Sequence, residues 1–284
     1  MPLPAVITLV ADEAYLPHVK SVMVNCRREG EWAGDFCLIL PPEVDPTYFR
    51  QRGIYVLPNS EPKHFRKFAI FDPFFNEQIP NERGNPDYRW QVVLYLDADV
   101  LVQRPLEPLL HEVNWGGILA DREMFTLEHA FTHWAKEEVK DPAYRRDMQW
   151  LRSNYDLSQF QYNTGIMVFN PRTIPPDAPQ KLLSLQQRLA PVNTHVKTGT
   201  DQPILNLFFS NRFQPVRSDL FCYWQLAWDK TIVIHYCSGY AGWIKKGPTQ
   251  NAYWNTRLGK VAHDMYLENL NDFEKVFPLC SPSP

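Results

Sequence analysis

The segment that most constrains this chain is Gln91–Leu96, followed at once by Asp97-Ala98-Asp99. After Gln91 the run is wholly apolar, which reads as a central strand buried within a sheet. Whatever follows such a strand lies at the carboxyl edge of the sheet, where open α/β folds bind ligands. Two carboxylates beside an apolar run are costly unless something pairs with them. A hard divalent cation, Mn²⁺ or Mg²⁺, is one such partner. The competing reading is a helix N-cap plus a solvent-facing aspartate.

Strand-like and helix-like runs alternate around this segment, the pattern of an α/β domain with a mixed, mostly parallel sheet flanked by helices. Ala5–Ala11, Asp35–Leu40, Ile54–Leu57, Trp115–Ala120, Tyr162–Phe169 and Thr231–Tyr236 read as further strands. His18–Glu29, with apolar residues at Val19, Val22, Met23 and Cys26, reads as a helix packed on the first strand; Lys63–Phe71 and Asp201–Phe209 read as shorter ones. Asp72–Trp90 is expected to be an excursion loop, and Asp121–Phe160 a mostly helical insertion over one end of the sheet. Residues 1–284 are expected to form a single domain, with 251–284 a C-terminal extension whose last residues fray.

Composition narrows the function mainly by exclusion. The net charge is -3, and no block of consecutive basic residues stands out, so a nucleic-acid footprint is not expected. The five cysteines are scattered, without a C-x-x-C pair, which favours a reducing compartment over a disulfide framework or zinc site. No run approaches the ~20 apolar residues of a membrane span, and no basic leader opens the chain. A cytoplasmic protein is expected, peripheral to a membrane at most through what it acts on.

Six blocks then appear in order: TLVADEAY (Thr8–Tyr15), FRKFAIF (Phe65–Phe71), LYLDADVLVQRPLEPLL (Leu94–Leu110), YNTGIMVFNP (Tyr162–Pro171), GTDQPILN (Gly199–Asn206) and IHYCSGYAGW (Ile234–Trp243). In these the chain resembles glycosyltransferase family eight, the glycogenin-like and bacterial galactosyltransferase-like enzymes. The resemblance implies a GT-A, Rossmann-like fold, a UDP-sugar donor, a divalent metal, and transfer with retention of anomeric configuration. It also implies roles. Leu9, Val10, Asp12 and Tyr15 would form the uridine pocket, with Tyr15 stacked on the base. Lys67 and Ala98 would line the donor site, Asp97, Asp99 and His235 would hold the metal, and Asp121 and Asn163 would hold the donor sugar. Asp201 and Gln202 would face the anomeric carbon.

The residues also have plainer readings. Asp201 before Pro203 is a good helix cap, and a single strand His is more often a satisfied core residue. Asn163, beside Gly165 in an apolar strand, must be hydrogen-bonded; the bond is either internal or to a ligand that Gly165 lets approach. His129 and His133 have metalloprotease spacing, but Ala130 replaces the required glutamate, which leaves them on a helix face toward the acceptor.

One position departs from the family. The lysine expected six residues after His235, which grips the diphosphate, is Ala241; Lys245 and Lys246 lie just beyond as substitutes. That departure is the one support for a GT-A protein that binds nucleotide or glycan without turnover. A D-x-D phosphohydrolase is the other rival, but its motif belongs near the N-terminus with a later G-D-x-x-x-D block, which this chain lacks. Acceptors compatible with the pattern are carbohydrate, lipid-linked or protein, with Trp134 and Trp150 of the insertion as stacking residues. Oligomeric state is left open, a homodimer being one option.

Overall fold

The computed structural model describes residues 4–62, 65–80, 86–112, 116–132, 141–190, 192, 201–217, 221–223, 231–235 and 257–280. The apolar N-terminal run forms β1 (Ala5–Val10), which pairs in parallel with β2 (Asp35–Leu40); β2 in turn pairs with β3 (Tyr55–Pro58). The expected excursion loop has structure of its own. It holds a 3-10 turn, Pro73–Asn76, and a hairpin of β4 (Gln78–Pro80) and β5 (Pro86–Tyr88). The chain then enters β6 (Val92–Leu96), parallel to β1 on the side away from β2.

After the Asp97-Ala98-Asp99 corner, β7 (Val100–Val102) leaves this sheet. Next come β8 (Ile118–Ala120), β9 (Arg122–Thr126), β10 (Phe160–Tyr162), β11 (Ile166–Phe169), β12 (Phe213–Pro215), β13 (Phe221–Tyr223) and β14 (Val233–His235). The main sheet runs β12-β8-β11-β6-β1-β2-β3 and is parallel except for β11, which is antiparallel to both β6 and β8. β14 lies outside it, in a small sheet of order β13-β14-β7.

Strand alternation sorts the core into two layers. Ala5, Ile7 and Leu9 of β1, with Val92, Leu94 and Leu96 of β6, face the helix Leu16–Arg28. Val6, Val93 and Tyr95 face the opposite layer. That layer holds the 3-10 segment Phe65–Phe71 and the helices Pro142–Asn154, Ala178–Arg188 and Asp201–Phe208. Each large side chain fully removed from water contributes about 1.5–3 kcal/mol, so these layers fix which way β6 presents its end.

Three regions gain detail. Within the C-terminal extension the helix Arg257–Val276 packs on Leu16–Arg28, and its Phe273, with Phe277 just beyond, lies in the same core as β1. The 121–160 region holds, besides the helices Leu127–Thr132 and Pro142–Asn154, the strand β9, antiparallel to β10 in a separate two-stranded sheet. Tyr162–Phe169 is not one strand, because Asn163-Thr164-Gly165 breaks it between β10 and β11.

Candidate active site

The corner between β6 and β7 gathers the predicted metal ligands. β14 runs antiparallel to β7 with His235 opposite Val100, one residue past Asp99. The helix Leu16–Arg28 fixes β7 through Asn25, whose side chain accepts from Val102 N–H at 2.6 Å and donates to Val102 C=O at 2.9 Å. His235 Nε2 therefore stands 3.2 Å from Asp99 Oδ1 and 3.6 Å from Asp97 Oδ2. One donor atom from each of the three residues lies within 4.8 Å of the others. Bonds of about 2.1 Å would put adjacent ligands roughly 3 Å apart, so this donor set could hold a divalent cation after small side-chain shifts.

Gly165 has a definite steric role. A Cβ at this position would run into the His235 imidazole, while the Gly165 carbonyl accepts from Asp97 N–H at 2.7 Å. What approaches Gly165 closely is the His235 side chain. Asp97 is also held by Tyr95, whose hydroxyl donates to Asp97 Oδ1. Burial first, and then the Asp97 charge, raise the Tyr95 phenol well above its ordinary value, so it stays a donor.

Lys67, buried on the Phe65–Phe71 segment, joins the two halves of the site. Its Nζ lies 3.1 Å from Asp97 Oδ1 and 2.8 Å from Asp201 Oδ2, and donates to Thr164 C=O at 3.4 Å. Burial pulls its pKa down, but Asp201 and Asp97 outweigh that and raise it, so the ammonium persists. Asp99 is likewise pushed up by burial but held below the usual carboxylate range by His235 and Lys67. Asp201 opens its helix and spends its carboxylate on Lys67 rather than serving only as a local cap.

Next to Asp201, Gln202 lies in a polar network. Its Oε1 accepts from Thr164 N–H and Asn163 Nδ2, both at 3.3 Å, and its Nε2 donates to Glu123 Oε1 at 2.9 Å. A carboxylate only accepts, so Glu123 fixes which end of the amide faces it. Asn163 is hydrogen-bonded within the protein: its Oδ1 accepts from Gly165 N–H at 2.8 Å, and its amide Nδ2 donates to Gln202 Oε1 and Glu123 Oε1. Asp121, at the end of β8, has its carboxyl pushed up to about 6 by burial and then by Glu123.

The uridine set is less uniform. Leu9 is fully buried in the core, which leaves its backbone alone for a ligand. Val10 and Ala98 are partly exposed. Asp12 accepts from Tyr15 N–H at 3.1 Å, capping a 3-10 turn, and the Tyr15 ring lies 5.3 Å from that of His18. Lys245, Lys246 and Ala241, with His133 and Trp134, lie outside the described residues. Trp150 is partly exposed, with the Arg188 guanidinium 4.0 Å from its ring centre and Tyr155 edge-on to it. Glu123, Tyr95 and Asn25 were not singled out from the sequence; in an isolated chain a Glu in a polar stretch reads as solvated surface.

The pattern describing Glycosyl transferase family 8 matches residues 86–247, more than half of the chain and inclusive of both halves of this site. The chain belongs to glycosyl transferase family 8. Solved structures of this fold include the glycosyltransferase GlyE of Streptococcus pneumoniae TIGR4, at 17% identity and a TM-score of 0.61 over 99% of this chain. Another is the galactosyltransferase LgtC in complex with donor and acceptor sugar analogs, at 14% identity and a TM-score of 0.60, covering 98% of this chain and 97% of that one. The bifunctional glycosyltransferase WbbM aligns at 16% identity and a TM-score of 0.55 over 97% of this chain. The chain spans 66% of the GlyE chain and 51% of the WbbM chain. At such identities the likeness is one of fold. No curated protein sequence matches the chain. Among the described residues no helix is long and apolar enough to cross a membrane, and Cys26, Cys37 and Cys280 are free thiols.

Proposed function

We propose that this family 8 chain is a divalent-metal-dependent, retaining glycosyltransferase that takes a hexose-type sugar from a UDP-sugar. The observation that carries the reading is the convergence of Asp97, Asp99 and His235 beside the Lys67–Asp201 pair. A bound Mn²⁺ or Mg²⁺ would supply Lewis-acid stabilisation of the diphosphate leaving group. Lys67 ion-pairs with both Asp97 and Asp201 and so holds the two carboxylates in place. Asp12, Tyr15 and the backbone of Leu9 and Val10 take the nucleoside, with Ala98 against the donor; Asp121 and Asn163 take the donor sugar. Lys245 and Lys246 are candidates for the diphosphate grip that Ala241 does not provide.

Gln202 supports a same-face reaction over a covalent one. An amide is a poor nucleophile, and its oxygen is already engaged by Thr164 and Asn163. The acceptor hydroxyl then forms the new bond to the anomeric carbon on the side the UDP leaves, and its proton passes to the departing phosphate oxygen. The 121–160 region faces the acceptor, which is a carbohydrate, a lipid-linked sugar or a protein. A cytoplasmic location goes with this donor chemistry and with the free thiols.

The test is UDP release from a panel of UDP-hexoses with Mn²⁺. Release that depends on the metal and is lost in Asp99→Ala supports the reading, and NMR of the product anomer checks retention. Turnover indifferent to chelation would overturn the metal-dependent reading, and tight UDP binding without turnover would favour a binding protein.

A further inference from the structure

The strand β9 carries an irregularity beside the donor site. Thr126 pairs with Phe160 and Arg122 with Tyr162, so the three residues Glu123, Met124 and Phe125 of β9 span what Gln161 alone spans on β10. Bulged strands re-aim side chains and concentrate beside active sites. Here the outcome is specific. Glu123 turns onto Gln202 and Asn163, with its Oε1 2.9 Å from Gln202 Nε2 and 3.4 Å from Asn163 Nδ2. Phe125, two residues on, is 48% exposed. Its ring lies parallel to that of His129, with centroids 4.4 Å apart and planes 8° from coplanar. Two residues of extended chain span at most about 7 Å, so the backbone positions that carry Glu123 and Phe125 are no farther apart than about one sugar length.

We propose that this bulge is the acceptor subsite, with Phe125 stacked on His129 as a platform for a neutral hexopyranose and Glu123 accepting from one of its hydroxyls. The inference rests on the reading of Asp201 and Gln202 as the residues beside the anomeric carbon. A pyranose has an apolar C–H face and a rim of hydroxyls, which matches an aromatic plane beside a carboxylate. A carboxylate offers about four acceptor positions, enough to serve Gln202, Asn163 and a sugar hydroxyl together. The carboxylates of Asp121 and Glu123 disfavour an anionic ring at the same place. Backing by His129 holds the Phe125 ring, so less side-chain freedom is lost on binding.

The experiment titrates the full chain with methyl β-glucoside, methyl β-galactoside and methyl β-mannoside and follows the His129 ring protons by NMR, assigned by their loss in His129→Gln. A saturable shift with at least one glycoside in wild type and in Phe125→Trp, weakened about tenfold or more in Phe125→Ala, is the expected result. No shift with any of the three, or an equal shift in Phe125→Ala, overturns the proposal. Metal-dependent UDP release by the wild-type chain is measured in parallel and reports on the donor site alone. The two readings can therefore fail separately. Glu123→Gln keeps the size of the side chain but removes the charge; as a residue that touches the sugar it is expected to raise the glycoside concentration needed for half-saturation without abolishing the shift.

Discussion

The imidazole of His235 occupies the space that a side chain on Gly165 would need. Gly165 leads into β11 of the main sheet and His235 ends β14 of the small one, and their contact sets how close His235 stands to the two aspartates. Gly165→Ala is expected to push the ring out of line and weaken Mn²⁺ binding by on the order of 10–100-fold, the usual effect of disturbing the support of a metal ligand. Calorimetric titration with Mn²⁺ checks it; unchanged affinity would show that the ring has room to move.

Lys67 is the cation shared by Asp97 and Asp201. Lys67→Met leaves two largely buried carboxylates without it and is expected to destabilise the chain by about 3 kcal/mol. Combining it with Asp201→Asn should recover part of the loss, a non-additivity that denaturant unfolding of the single and double variants measures.

Asp121 gives a pH dependence of definite sign. Its folded carboxyl titrates at about 6, above the value near 3.9 of an unfolded chain. Between those values the folded state binds the extra proton, so stability falls as pH rises from about 4 to about 6. Allowing for its partial exposure, the effect is of order 1 kcal/mol. Unfolding in EDTA across that window should be flatter for Asp121→Asn than for wild type.

Phe273 is 1% exposed and joins the C-terminal helix to the layer behind β1. Phe273→Ala is expected to cost about 3–5 kcal/mol by cavity formation. Thermal unfolding measures it, and a loss below 1 kcal/mol would mean that the helix is dispensable.

Legibility followed the range of the interactions. β1, β2 and β6 could be read because their residues carry their own burial pattern, and Asp97-Ala98-Asp99 could be read because it closes such a run. Arg122–Thr126 could not: REMFT lacks the two-residue alternation of a half-buried strand, and it is a strand because Phe160–Tyr162 comes back to pair with it. Tyr162–Phe169 looked continuous because periodicity does not register a sheet change at Asn163-Thr164-Gly165. Asp201 looked like a cap from its neighbours in sequence, while its partner Lys67 lies 134 positions away by residue number. Glu123 was missed for the same reason, since only the folded chain brings it to Gln202.

The Asp97-Ala98-Asp99 corner is also a seam. Asp97 closes a strand of the large sheet, Asp99 precedes a strand of the small one, and His235 ends the strand paired to that second member. An ion bound by all three staples the sheets together, so peeling away the small sheet and releasing the ion become one event. Local opening there is then suppressed in proportion to ion occupancy. Added Mn²⁺ should slow amide exchange at Val100–Val102 far more than in β1, making exchange in three residues a gauge of how full the site is.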